Sequence, residues 1–180
     1  MVTQFGQRWC VVNLFVIVTC FLVSLIQSHD AFAERKQISG TGVGTVLGET
    51  GIEIPVGDMN SQVGNLRSLI WVYSSTHPDW NNARASTVVF TNVMTKSLKG
   101  FTVVTHPGGD QTFLEFEGTW EQEPGVVFTD QRKGRFLGGT GKFKGITGRW
   151  TSTIRGGGFD PTVDTVKRTA EWKAEYEIKP

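Results

Sequence analysis

The 180-residue chain holds two cysteines, Cys10 and Cys20, and both lie in its first 33 residues. A mature protein without that segment has no thiol at all. Disulfides, thiolate metal sites, iron–sulfur clusters and a cysteine nucleophile are then excluded together. A surplus of charge is missing as well: 18 Lys and Arg face 17 Asp and Glu, and the leader carries one of each sign, Arg8 and Asp30. With a net charge of +1 either way, no field steers nucleic acid or an anionic membrane to the protein, and no nucleic-acid partner is expected. There is no Gly-x-Ser-x-Gly elbow for a hydrolase. No His-x-His or His-Glu-x-x-His spacing marks a metal centre either, so neither metal nor cofactor is expected.

The first 33 residues differ from the rest. A short polar start with Arg8 runs into an apolar stretch over residues 10–26, then into Ala31-Phe32-Ala33. A basic start, an apolar middle and a small-x-small ending are what the export machinery and its peptidase read. The alternative is a retained anchor, but the apolar run is short of the ~20 residues a spanning helix needs, and Asn13 interrupts it. Cys20 lacks the small residue upstream that an acylated thiol requires, so lipidation is not expected. The expected organisation is a signal peptide over 1–33 and one domain over 34–180, periplasmic or extracellular, with no stable membrane span after cleavage.

Of the 180 residues 22 are glycine, Thr and Val are plentiful, and long helical periodicity is scarce. That composition predicts short strands joined by tight turns. At the C-terminus, Ala170, Trp172, Ala174, Tyr176 and Ile178 alternate with Thr169, Glu171, Lys173, Glu175 and Glu177. A period of two with one apolar and one charged face is a strand that covers a core on one side. Further strands are predicted over 38–47, 66–76, 85–94, 101–105, 111–120, 126–129, 135–137 and 142–154. Turn signals separate them at Pro78-Asp79, Pro107-Gly108-Gly109-Asp110, Glu123-Pro124-Gly125, Gly138-Gly139-Thr140-Gly141 and Gly156-Gly157-Gly158. About eight strands without a linker or second core predict a single all-β domain, a closed antiparallel barrel in preference to a sandwich, because closure removes exposed edges. Helix is expected to be limited to about a turn near 79–84.

The most distinctive stretch is Phe136-Leu137-Gly138-Gly139-Thr140-Gly141-Lys142-Phe143-Lys144-Gly145-Ile146-Thr147-Gly148. It resembles the glycine-rich hairpin of the allene oxide cyclase and dirigent-like barrels, a calycin-like eight-stranded group that includes exported bacterial members. The resemblance implies that Gly138, Gly139 and Gly141 supply turn dihedrals, that Phe143 plugs the core, and that Gly145 and Gly148 let a strand bend at a barrel corner. The cyclase branch holds a reactive epoxide in an apolar barrel; the dirigent branch guides the coupling of phenolic intermediates with acidic side chains. No such acidic position aligns onto this chain residue by residue, so no site residue is carried over. The same glycines do not make a phosphate cradle, which needs a helix N-terminus and a following Lys-Ser/Thr, whereas Lys142 precedes Phe143 and a strand.

Candidate site residues come from the remaining polar and aromatic side chains. Trp71 and Tyr73 share a strand face and are the expected cavity wall. Two Thr-His-Pro tripeptides place His77 and His106 at strand ends, each followed by an acid, Asp79 and Asp110. If the two strands leave on one rim, the imidazoles would converge with a carboxylate to hold a metal or, at His106 and Asp110, a ligand; the favoured reading is that proline ends each strand and the histidines are solvated. Glu115 and Glu117 would form a carboxylate pair able to do acid/base work if they faced a cavity, although the better core face is Leu114, Phe116 and Trp120. Arg149 would anchor a ligand carboxylate if it pointed inward, and outward is favoured. Small barrels pack solid or hold one small ligand, so three functions stay open. They are a non-enzymatic binder of a small apolar or aromatic molecule, a cofactor-free isomerase, cyclase or coupling guide, and a packed interaction module, with a homo-oligomer compatible with each.

Cleavage after Ala33 is checked by intact mass of the protein recovered from outside the cytoplasm. A mass matching 34–180 is expected, and a species that retains Cys20 with attached lipid would contradict both address and solubility.

Overall fold

A computed structural model of the chain describes residues 34–53, 62–122, 128–156 and 167–179. The leader and its cleavage point lie outside these residues, as do the turn signals at Glu123-Pro124-Gly125 and Gly157-Gly158 and the start of the predicted strand at Val126. Eight strands make up the domain: β1 (Lys36–Glu53), β2 (Gln62–Ser75), β3 (Arg84–Asn92), β4 (Ser97–Thr105), β5 (Gln111–Gln122), β6 (Phe128–Gly139), β7 (Ile146–Gly156) and β8 (Lys167–Ile178). Each pairs antiparallel with the next, and β1 pairs with β8 from Lys36↔Tyr176 to Thr45↔Lys167, which closes the barrel. The all-β closed barrel is the architecture that the sequence predicts. No described helix is long and apolar enough to cross a membrane.

Three element boundaries differ from expectation. The predicted strands 126–129 and 135–137 belong to one strand, β6, whose polar middle (Asp130-Gln131-Arg132-Lys133) masks its continuity. The predicted strand 142–154 is broken at its start, because Gly141–Phe143 is a 3-10 turn and β7 begins at Ile146. That turn, and not the segment near 79–84, is the only 3-10 or α element among the described residues. Residues 76–83 instead form a hydrogen-bonded turn in which Trp80 and Asn81 both donate their N–H groups to the His77 carbonyl.

Strand alternation decides what faces inward. In β8 the buried side chains are Arg168, Ala170, Trp172, Ala174 and Tyr176, and in β3 they are Ala85, Thr87, Val89 and Thr91. An eight-stranded barrel has little room inside, and this one fits large rings by setting them against inward glycines. Gly44 pairs in register with Trp71, and a Cβ on Gly44 would fall inside the van der Waals envelope of the indole. Gly42 meets Tyr73 in the same way, and a Cβ there would stand 2.8 Å from the ring. Gly134 sits under Trp150, where a Cβ would stand 2.7 Å from the indole nitrogen.

The upper end of the barrel carries the β2–β3, β4–β5 and β6–β7 connections. It is closed by an aromatic cluster centred on Trp80, which meets His106 edge-on at 4.5 Å and packs against Phe136, Phe143, Trp172 and Tyr176 at centroid distances of 5.7–6.0 Å. Phe143 is 1% exposed and stacks on His106 at 4.0 Å. The hairpin glycines Gly138, Gly141, Gly145 and Gly148 all have positive φ. Gly139 does not; a Cβ there would stand 2.8 Å from the Gln111 carbonyl oxygen, so close approach, and not a turn dihedral, calls for glycine at that position.

The outer wall is uneven. On β6–β8 it is polar and charged apart from Leu137, whereas on β1–β4 it carries Val43, Ile70, Val72, Val88 and Phe101, with Phe101 61% exposed.

Gly44→Ala is expected to lower stability by ~1–3 kcal/mol, the usual cost of forcing an extra methyl into a packed interior. Gly108→Ala, which meets nothing within 4 Å, should stay within ~0.5 kcal/mol of the native chain in urea unfolding. Equal behaviour of the two variants would contradict the ring-over-glycine packing.

Candidate functional site

Below the aromatic cluster the interior retains a cavity of about 40 Å³. On the measure by which one water needs roughly 10–15 Å³, that space holds about three. Its apolar wall comes from Trp71, Tyr73, Trp80, Phe136 and Trp172, with Val104, Leu114 and Ile154 filling between them. Trp71 and Tyr73 are therefore cavity wall, as expected from their shared face. Tyr73 lies against Trp172 at 5.6 Å. Burial pushes its phenol up to about 12, partly offset by the positive charge of Arg132. The group is thus a proton donor at any physiological pH.

The polar wall was not anticipated. Arg132, from β6, and Ser152, its register partner on β7, both line the cavity. Arg132 is 5% exposed, donates from Nη2 to Asp130 Oδ2 at 2.7 Å, and lays its guanidinium over the Phe116 ring at 4.7 Å. Four buried donor-bearing atoms on lining residues have no hydrogen-bond partner among the described residues: Arg132 Nε, Ser152 Oγ, Trp150 Nε1 and Trp80 Nε1. The threonines Thr87 and Thr102, also on the wall, satisfy each other at 2.9 Å.

Arg168 lies one inward position below Ala170 and is 3% exposed. It faces Phe128 at 4.3 Å, and its Nε and Nη1 have no partner among the described residues. Burial, reinforced by the charge of Arg67, lowers its pKa to about 10. Among the described residues the interior buries two guanidiniums, Arg132 and Arg168, against one buried carboxylate, Asp130; the more open Arg67 pairs with Glu49 at 2.9 Å. Burying a charge without a counter-charge is expensive, and such groups concentrate at functional sites.

The other candidates are scattered. Glu115, Glu117 and Arg149 face outward onto an open hollow of about 1490 Å³ on the barrel wall, where Glu115 pairs with Arg135 and Glu117 with Lys133. The inward carboxylate pair does not form, because Leu114 and Phe116 take the inward phase of β5. Asp110 sits at the upper rim and accepts the Lys142 N–H at 3.2 Å. No group of three or more His, Cys, Asp or Glu suited to a metal occurs among the described residues.

His106 corrects the expectation of a solvated turn residue: it is 2% exposed and belongs to the plug, not to the cavity wall. Its Nδ1 lies 2.8 Å from the Asp79 carbonyl oxygen, which can only accept, so Nδ1 carries the proton and Nε2 accepts from the Thr112 hydroxyl at 3.2 Å. Burial holds its pKa below the usual histidine value. Asp79, whose carbonyl anchors this ring, binds Lys142 through its carboxylate, and that hydrogen bond holds its own pKa low.

Comparison with protein-family models, with curated proteins and with solved structures finds no match to this chain.

A histidine held neutral in the folded state binds fewer protons there than in the unfolded chain. Stability is therefore complete above the unfolded pKa of ~6.5 and falls as pH drops below it. In urea unfolding between pH 7.5 and 5, the native chain should lose stability with acidification and His106→Gln should show a flatter profile. Superimposable slopes would contradict a buried neutral imidazole.

Proposed function

We propose that this chain is an exported barrel that binds one small, flat, apolar or aromatic molecule inside its β-barrel. The observation that carries the reading is the cavity bounded by Trp71, Tyr73, Trp80, Phe136 and Trp172 beneath a closed aromatic end. Rings present large, stiff faces at low entropic cost and suit a planar guest. A cavity of 40 Å³ admits a single small ring system only if wall side chains shift, so the ligand class is small and flat and excludes long chains. Export is supported by the leader's basic start, apolar run and Ala31-Phe32-Ala33 ending.

A second reading, a cofactor-free isomerase or cyclase, draws support from the convergence of Tyr73, Arg132 and Ser152 on the same space. A phenol that stays protonated beside a fixed guanidinium can donate to an oxygen on which charge develops.

Calorimetric titration with toluene tests the binding reading. Saturable one-to-one binding is expected for the native chain. Ala174→Leu, which fills the cavity from β8, should weaken it at least about tenfold, and Lys173→Ala, on the opposite face of the same strand, should leave it within about twofold. No saturable binding, or equal binding by both variants, would leave a packed barrel that acts through its outer surface.

A further inference from the structure

We infer that the molecule held in the barrel is an anion, an aromatic or compact apolar carboxylate whose oxygens are received by Arg132, Ser152 and Trp150, with the buried charge of Arg168 two inward positions further along β8 from Trp172 and outside the cavity lining. The inference rests on the binding reading above and names its ligand class. Two independent observations carry it. First, the unmet hydrogen-bonding capacity of the cavity wall is on the donor side. Arg132 Nε, Trp150 Nε1 and Trp80 Nε1 can only donate, Ser152 Oγ can donate, and none of these atoms has a partner among the described residues. Asp130 takes one bond from Arg132, from Nη2 to Oδ2, and none from Nε. A guest that brings donors of its own would leave these groups unpaired; a guest that brings acceptors satisfies them.

Second, the charge among the described residues is out of balance in the same sense. Arg132 and Arg168 are both almost wholly buried, and among the described residues a single buried carboxylate, Asp130, accompanies them. The salt bridge Arg132–Asp130, with side chains 2% and 5% exposed, closes one pair, and Arg168 has no ion pair among the described residues. Arg67 and Arg132 both repel its charge, while Asp130 and the more exposed Glu49 attract it. A carboxylate supplies what both observations ask for: one negative charge, acceptor atoms only, and a planar head that matches a guanidinium edge. The aromatic wall above takes the apolar body, so the two halves of the ligand are read by opposite ends of one cavity.

Benzoate and benzamide separate this from the general reading, since they share shape and ring and differ in charge. Calorimetric titration of the mature protein at pH 7 should give benzoate at least about tenfold tighter than benzamide, the factor expected of charge-assisted over neutral hydrogen bonds. Ser152→Ala, which removes a hydroxyl with no partner among the described residues, should fold normally and weaken benzoate at least about threefold. Arg168→Met should behave in two ways at once. Without ligand its urea midpoint should rise, because an uncompensated buried charge is gone, and its preference for benzoate should fall below about threefold.

Equal affinity for benzoate and benzamide would overturn the anion assignment and leave the aromatic binder standing. Binding of neither would overturn both. A lowered midpoint in Arg168→Met would also overturn the assignment, since it would mean that the guanidinium is neutralised from within the chain. Water alone in the cavity of crystals grown in benzoate would do the same.

Discussion

Rings laid across glycines set the dimensions of everything inside this barrel. Eight strands enclose a narrow space, and the chain fills it with indoles and phenyl groups that would not fit over ordinary side chains. Trp71 lies over Gly44, Tyr73 over Gly42, and Trp150 over Gly134. Each ring gains the contact area of a core residue while each glycine gives up the volume that the ring occupies. The exchange is stabilising because large apolar surfaces leave water. The wall that results is flat and apolar on one side, and its polar groups are confined to the few inward positions left over.

Those leftover positions give the two halves of the interior opposite characters. The upper half is a plug in which His106 ties the Asp79 carbonyl to Thr112 and stacks on Phe143. The lower half holds guanidiniums that the described chain does not fully match. Arg168 gains a contact with the Phe128 ring but no carboxylate partner among the described residues, and a buried charge left unpaired costs stability that an apolar residue of similar volume would not. The argument for a ligand comes from this contrast within one core, satisfied at one end and unsatisfied at the other.

Much of the architecture was legible in the sequence because strand alternation and turn residues are local signals. The C-terminal strand could be read directly, the Phe136–Gly148 hairpin only in outline, without its 3-10 turn at Gly141–Phe143 or the close approach at Gly139, and Trp71 and Tyr73 fell on the correct face. The polar half of the site was missed for a physical reason. In β6, Asp130 and Arg132 keep the inward phase of Phe136, but charged side chains in a strand are read as solvent-facing, so the segment looked like a break between two strands. Arg168 stands in the same phase as Ala170, Trp172 and Ala174, and the usable signal was that phase: a charge at an inward position of a strand whose other inward residues are apolar. The alternating Gly40, Gly42 and Gly44 carried a second signal, space reserved on one face for rings across the sheet. The burial of His106 had no local signature, since it depends on Trp80 and Phe143 folding over it from two other connections.

The central claim is that the donors of the lower cavity wall are kept for an acceptor that the chain does not itself provide. An atomic-resolution crystal structure of the mature protein purified without added ligand tests it most directly, through the density beside Arg132 Nε, Ser152 Oγ and Trp150 Nε1. The account predicts non-protein density there, an ordered water cluster or a bound acid, within hydrogen-bond distance of at least two of the three. A dry cavity in which all three donate to protein oxygens, with Arg168 matched by a carboxylate of this chain, would contradict it.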